Sequence, residues 1–217
     1  KPFAFGYFCR VFRCRRPTAG LCLCRVLLIM TELSRYRLRY AADLLRAGGV
    51  VCHPTEAVWG LACVPENAAA VARICTLKRR DPEKGLLLVT DSVDRLQTLL
   101  APLPASRREA VLESWPGPYT WVIPDEGFAP SWVRGRFSSV AVRVTDHPLT
   151  AALCKAVGGC LVSTSANPAS LEPARSQQQA ERYFAGAVNY YLPGRLGGRR
   201  QPSCIRDALS GDTLRSA

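Results

Sequence analysis

Val50-Val51-Cys52-His53-Pro54-Thr55-Glu56 is the stretch on which the fold reading turns. Its first three residues read as a short buried strand. Pro54 removes the backbone donor the ladder would need next, and Thr55-Glu56 continue as a polar turn. Upstream, Leu38, Ala41, Ala42 and Leu45 recur at helical spacing between Ser34 and Arg46, and Gly48-Gly49 supplies the stop. A helix is therefore expected to lead directly into the strand.

Downstream, the sequence of strand, polar turn and helix recurs. Helices are expected at 67–79, 92–100, 104–114, 147–157 and 176–184, and strands at 85–89, 119–123, 138–144, 160–163 and 188–192. In the 138–144 segment Val140, Val142 and Val144 alternate with Ser139, Ala141 and Arg143, so Arg143 should face away from the valine-lined side. An α/β domain around a mixed sheet follows.

Composition agrees: of 217 residues, 48% are hydrophobic and 21% charged, with no fixed-period repeat, which excludes solenoids and disorder. Residues 1–29 stand apart, with four cysteines, six basic residues and no acid. Their apolar run, Val26 to Met30, is too short to span a membrane. The expectation is a leader extension over 1–29, or an arginine-rich targeting peptide, with the folded domain over 30–217 beginning at Met30, the only methionine. Half of the net charge of +12 lies in that leader. The remaining basic excess permits a polyanionic ligand without requiring one. The six later cysteines sit in scattered apolar contexts that suit buried thiols, so a reducing, cytoplasmic setting is expected.

Three stretches could carry chemistry. Lys78-Arg79-Arg80 and Lys84 hold two of only four lysines in a chain with 25 arginines. A compact ammonium kept among arginines suits a phosphate, although a solvated helix end would present the same residues. Ser163-Thr164-Ser165-Ala166-Asn167 places hydroxyls and an amide at a strand's carboxyl end, where open α/β sheets bind ligands. Taken alone, an ordinary capping turn explains it more simply. The arginines at 195, 199, 200 and 206, interleaved with Gly194, Gly197 and Gly198, suggest a mobile cationic loop. Trp115-Pro116-Gly117-Pro118 reads as a rigid structural turn. His53 and His147 each precede a proline with no nucleophile motif beside them, and no Walker A or Gly-x-Gly-x-x-Gly sequence occurs.

Together, His-Pro-Thr-Glu-Ala-Val-Trp-Gly (53–60), Leu-Lys-Arg-Arg (77–80), Lys84-Gly85-Leu86, Trp-Pro-Gly-Pro (115–118), Ala-Val-Arg-Val-Thr-Asp-His-Pro (141–148) and Ser-Thr-Ser-Ala-Asn (163–167) resemble the YrdC/TsaC family of threonylcarbamoyl-AMP synthases. That resemblance implies a single α/β domain with a twisted mixed sheet flanked by helices and a concave basic cavity. It implies L-threonine, bicarbonate and ATP as substrates. Thr55, Arg143 and Ser203 would hold threonine, and Lys78, Arg80 and Lys84 the triphosphate. Ser163, Ser165 and Asn167 would meet the nucleotide, with Arg175 and Arg215 near its adenosine part. Lys78 and Arg80 would be the catalytic pair. No carboxylate cluster is visible near Lys78, so Mg²⁺ is expected to arrive on the phosphates with no protein metal site. The product would pass to proteins that modify tRNA. Ala57 stands where many longer relatives have a second threonine, and 217 residues leave no room for their additional C-terminal domain, so the short, single-domain type is expected. The rival expectation is a non-catalytic RNA-binding module in ribosomal RNA or tRNA maturation, with the same charge but no use for a threonine pocket.

Overall fold

The computed structural model describes residues 23–201 and 203–216, with side chains from residue 32 onward. Most of the expected leader, residues 1–22, lies outside the described residues. Helix α1 spans Leu23–Arg46, so it begins before Ser34. The compact unit that carries everything below is Arg35–Ala217.

After α1 come β1 (Val51–Pro54) and β2 (Trp59–Cys63), then α2 (Ala68–Lys78), a 3-10 turn at Pro82–Lys84 and β3 (Leu87–Thr90). Two short helices, α3 (Gln97–Leu100) and α4 (Ala105–Glu113), precede β4 (Tyr119–Pro124), α5 (Ser131–Arg134) and β5 (Ser139–Val144). The chain continues through α6 (Pro148–Val157), β6 (Leu161–Ser165), α7 (Gln177–Phe184), β7 (Tyr190–Tyr191), β8 (Cys204–Asp207) and β9 (Thr213–Arg215). The described strands form one mixed sheet in the order β7-β1-β2-β6-β3-β5-β4-β8-β9. Parallel pairing joins β1 to β7, β3 to β5 and β4 to β8; the other neighbours are antiparallel.

Helices cover both faces of the sheet. Ala41, Ala42 and Leu45 of α1 and Leu153 and Cys154 of α6 pack on Val51, Ala62, Val89 and Leu161. The alternate residues Cys52, Leu61, Cys63, Leu88, Val140, Val142 and Val144 face α2, α4 and α7. Leu45, Leu153 and Leu161 are fully buried, and each such side chain contributes about 1.5–3 kcal/mol. The first of these faces is covered only in part. Beyond Val89 and Leu161 it continues through Leu87 and Ser163, which are register partners, and on through Ala141, paired with Leu87. These three line an open cavity.

The structure departs from the expected elements in four places. The turn after His53 does not lead into a helix but returns as β2, which pairs with β1 from Pro54↔Trp59 to Val51↔Ala62. All five β2 residues are buried, so no polar alternation marked it as a strand. The helix expected at 92–100 is a 3-10 turn, Val93–Leu96, followed by α3. The basic C-terminal stretch contains β8 and β9, and Arg206 lies in β8 with its guanidinium over the Tyr119 and Trp121 rings. Residues 195–199 are not a free loop. The Gly197 amide donates to Thr55 O (3.0 Å) and the Arg199 amide to Glu56 O (3.0 Å). The Arg199 side chain pairs with Asp146 at 2.7 Å.

Candidate active site

The cavity has a volume of about 720 Å³, within the range of small-molecule sites. Its floor is the uncovered sheet face, and its walls are the β1–β2 turn, the stretch from Lys78 to Leu86, the turn after β6, and β8–β9. Ten of the eleven residues expected to act line it: Thr55, Lys78, Arg80, Lys84, Arg143, Ser163, Ser165, Asn167, Ser203 and Arg215. Arg175 does not; it is exposed and its guanidinium donates to Arg200 O.

Lys78 ends α2, and its position owes much to the caps around it. The Asn67 side chain accepts from the Ala70 amide at the helix start, and Arg79 takes a left-handed backbone (φ 51°) at the end. Lys78 is only 6% exposed as a residue. It donates to Ser165 O and to Asn167 O (2.9 Å), and lies 3.3 Å from Asn167 Oδ1 and 3.4 Å from Ser165 Oγ. Burial, with the nearby Arg80 charge adding to it, lowers its pKa from 10.5 to about 8. Lys78 thus does more than present charge: it binds the hydroxyl turn to the end of α2.

Arg80 is fixed by its own loop, donating from Nε (3.2 Å) and Nη2 (2.8 Å) to Gly85 O. Gly85 has φ +60°, and a Cβ there would lie 2.6 Å from Arg134 O, so glycine alone lets the 3-10 turn close against α5. Lys84 ends that turn and is exposed.

At the other end, Thr55 Oγ1 donates to Val58 O at 2.7 Å, leaving its lone pairs for a donor on a ligand. Arg143 rises from β5 on the side opposite the valines, as alternation required, and pairs through Nη2 with Glu56 Oε2 at 3.1 Å. Ser203 Oγ lies 2.9 Å from Thr120 Oγ1, and Arg215 donates to Ser203 O at 2.7 Å. Arg215 is therefore ordered in β9 beside Ser203, at the Arg143 end. Burial and then the Arg143 charge lower its pKa.

Three comparisons bear on this arrangement. The sequence profile of the Sua5/YciO/YrdC family, described as telomere recombination, matches residues 43–217. The chain belongs to this family. A threonylcarbamoyl-AMP synthase of Halorhodospira halophila is 54% identical over 180 residues, which cover 83% of this chain and 94% of the relative. The solved structure of P. abyssi Sua5 complexed with L-threonine superposes with a TM-score of 0.74 at 27% identity, over 79% of this chain. This chain covers 51% of that protein. E. coli YciO, at 22% identity and TM-score 0.72 over 83% of this chain and 87% of its own, shares the fold.

Motif order in the sequence picked out residues that line one cavity. It missed Glu56, whose carboxylate holds Arg143, and Arg134, which lines the cavity while its Nε lies 3.4 Å from buried Asp125 Oδ2. An acid directly after Thr55 in a polar turn carried a usable signal for the first. The two histidines are structural. His53 is fully buried, and burial drives it down to about 4, while His147 Nδ1 accepts from the Thr150 amide at the start of α6. Cys52 and Cys63 are buried thiols pushed up to about 12 by burial, so neither is a nucleophile at neutral pH.

Proposed function

We propose that this protein is a threonylcarbamoyl-AMP synthase that makes L-threonylcarbamoyladenylate and pyrophosphate from L-threonine, bicarbonate and ATP. The observation that carries the reading is the union, in one cavity, of the Lys78–Lys84 cations, the Ser163–Asn167 turn and the paired Arg143. A site for phosphate alone has no use for a buried, carboxylate-held arginine beside hydroxyl acceptors.

The amine of threonine attacks the carbon of bicarbonate, water leaves, and a carbamate results. A carbamate oxygen then attacks the α-phosphorus as the bond from that phosphorus to the bridging oxygen breaks and pyrophosphate departs. Arg143 pairs with the threonine carboxylate, Thr55 accepts from its amine or hydroxyl, and Ser203 closes that end. Lys78, Arg80 and Lys84 meet the phosphates and neutralise the charge that moves onto the leaving group, while Ser163, Ser165 and Asn167 hold the nucleotide. Alignment and electrostatics thus supply the catalysis, as in other phosphoryl and nucleotidyl transfers. Arg215, beside Ser203, belongs to the threonine end rather than to the adenosine; Arg175 has no place in the cavity wall.

Mg²⁺ travels with the triphosphate. The lining offers only two carboxylates: Glu56, held by Arg143, and Asp81, whose Oδ1 accepts from the Glu83 amide. The product passes to cytoplasmic proteins that use it to make N6-threonylcarbamoyladenosine in tRNA. Among the described residues no helix is long and apolar enough to cross a membrane. Pyrophosphate release from ATP, L-threonine, bicarbonate and Mg²⁺, measured with and without each component, tests the reading. Release that requires both threonine and bicarbonate supports it. Folded protein that releases none, yet binds RNA, reverts it to a binding module.

A further inference from the structure

We propose that Glu56 is a positioning residue: through its ion pair it aims the Arg143 guanidinium at the substrate carboxylate and so sets the affinity for threonine. The inference rests on the reading of the cavity given above.

The two carboxylate oxygens of Glu56 differ: Oε1 accepts from the Thr145 hydroxyl, whereas Oε2 is buried without a hydrogen bond and is held by its ion pair with Arg143 Nη2 at 3.1 Å. Thr145 is in turn held, its Oγ1 accepting from the His147 amide at 3.1 Å. The backbone of Glu56 is held from the other side by the 195–199 segment. The Arg199 amide donates to Glu56 O, and Gly197 passes so close that a Cβ would lie 3.0 Å from Glu56 Cα. Glu56 is thus fixed at its main chain and, through Oε1 and the ion pair of Oε2, at its carboxylate.

Arg143 is held at one corner only. One nitrogen is engaged by Glu56, and its buried Nε has no hydrogen-bond partner. A guanidinium can offer Nε and a terminal nitrogen as a fork to a carboxylate, and anchoring one corner on Glu56 fixes the plane in which that fork lies. A buried arginine without Glu56 would carry an unpaired charge and turn toward whatever acceptor it could reach. The nearby Arg215 gives it a further reason to swing away, because like charges so placed repel. An alternative role for Glu56, proton acceptor for the threonine amine, fits poorly with a carboxylate whose free oxygen is buried against the Arg143 guanidinium, a charge that favours the ionised form.

Glu56→Gln is the test, with wild-type protein as the control for activity itself. The amide keeps an oxygen for Thr145 but removes the charge. The KM for L-threonine should rise by about thirtyfold or more, the lower end of the range expected when a buried charge pair loses one partner. The kcat at saturating threonine and the affinity for ATP measured without threonine should stay within about twofold. Thr145→Val, which frees Oε1 but leaves the charge, should raise the same KM by a smaller factor and stands in if Glu56→Gln does not fold. Arg143→Lys should abolish the effect of adding Glu56→Gln, since without the fork there is nothing to aim. An unchanged threonine KM in folded Glu56→Gln overturns the proposal, as does a fall in kcat at unchanged KM, which would make Glu56 a proton acceptor. Equal loss of ATP affinity would reduce Glu56 to a structural residue. No threonine-dependent release by wild type would instead overturn the parent reading.

Discussion

Raising the pH should switch off ATP capture by this protein, and the residue responsible should be Lys78. Its ammonium is buried and its pKa lies near 8 instead of 10.5, chiefly through burial and then through Arg80. At about 1.4 kcal/mol per pH unit, that drop favours the neutral amine by about 3 kcal/mol. If only the ammonium meets the triphosphate, kcat/KM for ATP, which reports the free enzyme, should follow the charged fraction. It should be about half its plateau near pH 8 and about one tenth near pH 9. Bound phosphates hold the proton on, so kcat at saturating ATP should keep its plateau to higher pH. Threonine must be saturating throughout, because its free amine is the reactive form and would push the rate the other way. The sign for stability is also fixed. Below pH 8 both folded and unfolded chains carry the proton, and the folded state bears the cost of burying it. Between about 8 and 10.5 the folded chain has shed it and the unfolded chain has not, so the contribution of Lys78 to stability rises with pH across that window. Pyrophosphate release from pH 6.5 to 9.5 in wild type and in Lys78→Arg reads the effect. The guanidinium stays charged throughout, so its profile should lose the falling limb. A flat wild-type kcat/KM for ATP up to pH 9.5, or the same limb in Lys78→Arg, would refute the reasoning.

Two further outcomes follow from the same geometry. Gly85→Ala places a Cβ 2.6 Å from Arg134 O at φ +60°; the strained backbone and the displaced carbonyl together should cost about 2 kcal/mol. The thermal midpoint should fall by about 4–8 °C, and the KM for ATP should rise because Arg80 is anchored on Gly85 O; an unchanged midpoint speaks against it. Chelation by EDTA should stop pyrophosphate release, and added Mg²⁺ should restore it. The thermal midpoint of the nucleotide-free protein should stay the same, whereas a midpoint lowered by the chelator would point to a metal held by the protein.

What local sequence could settle, it settled well. The strand expected at Val50–Cys52, the α2 periodicity that ends on Lys78, and the alternation that turns Arg143 away from Val140, Val142 and Val144 are all properties of neighbouring residues; the structure holds the last two and carries the strand on from Val51 to Pro54, which pairs with Trp59. The order of motifs carried the site residues further than periodicity could. Two kinds of feature stayed out of reach. β2 and β8–β9 lack the pattern that marks a strand, the first because it is buried on both faces and the others because they are short and polar; only pairing with β1, β6 and β4 makes them strands. The contacts that complete the cavity join residues far apart in the chain: Lys78 with Ser165 and Asn167, Glu56 with Arg143, Thr120 with Ser203. Propensity and period act over a few residues, whereas the choice of partner strands depends on burying both faces of the whole sheet at once. That choice, which sets β6 between β2 and β3 and β5 beside β3, decided which charges would share a cavity.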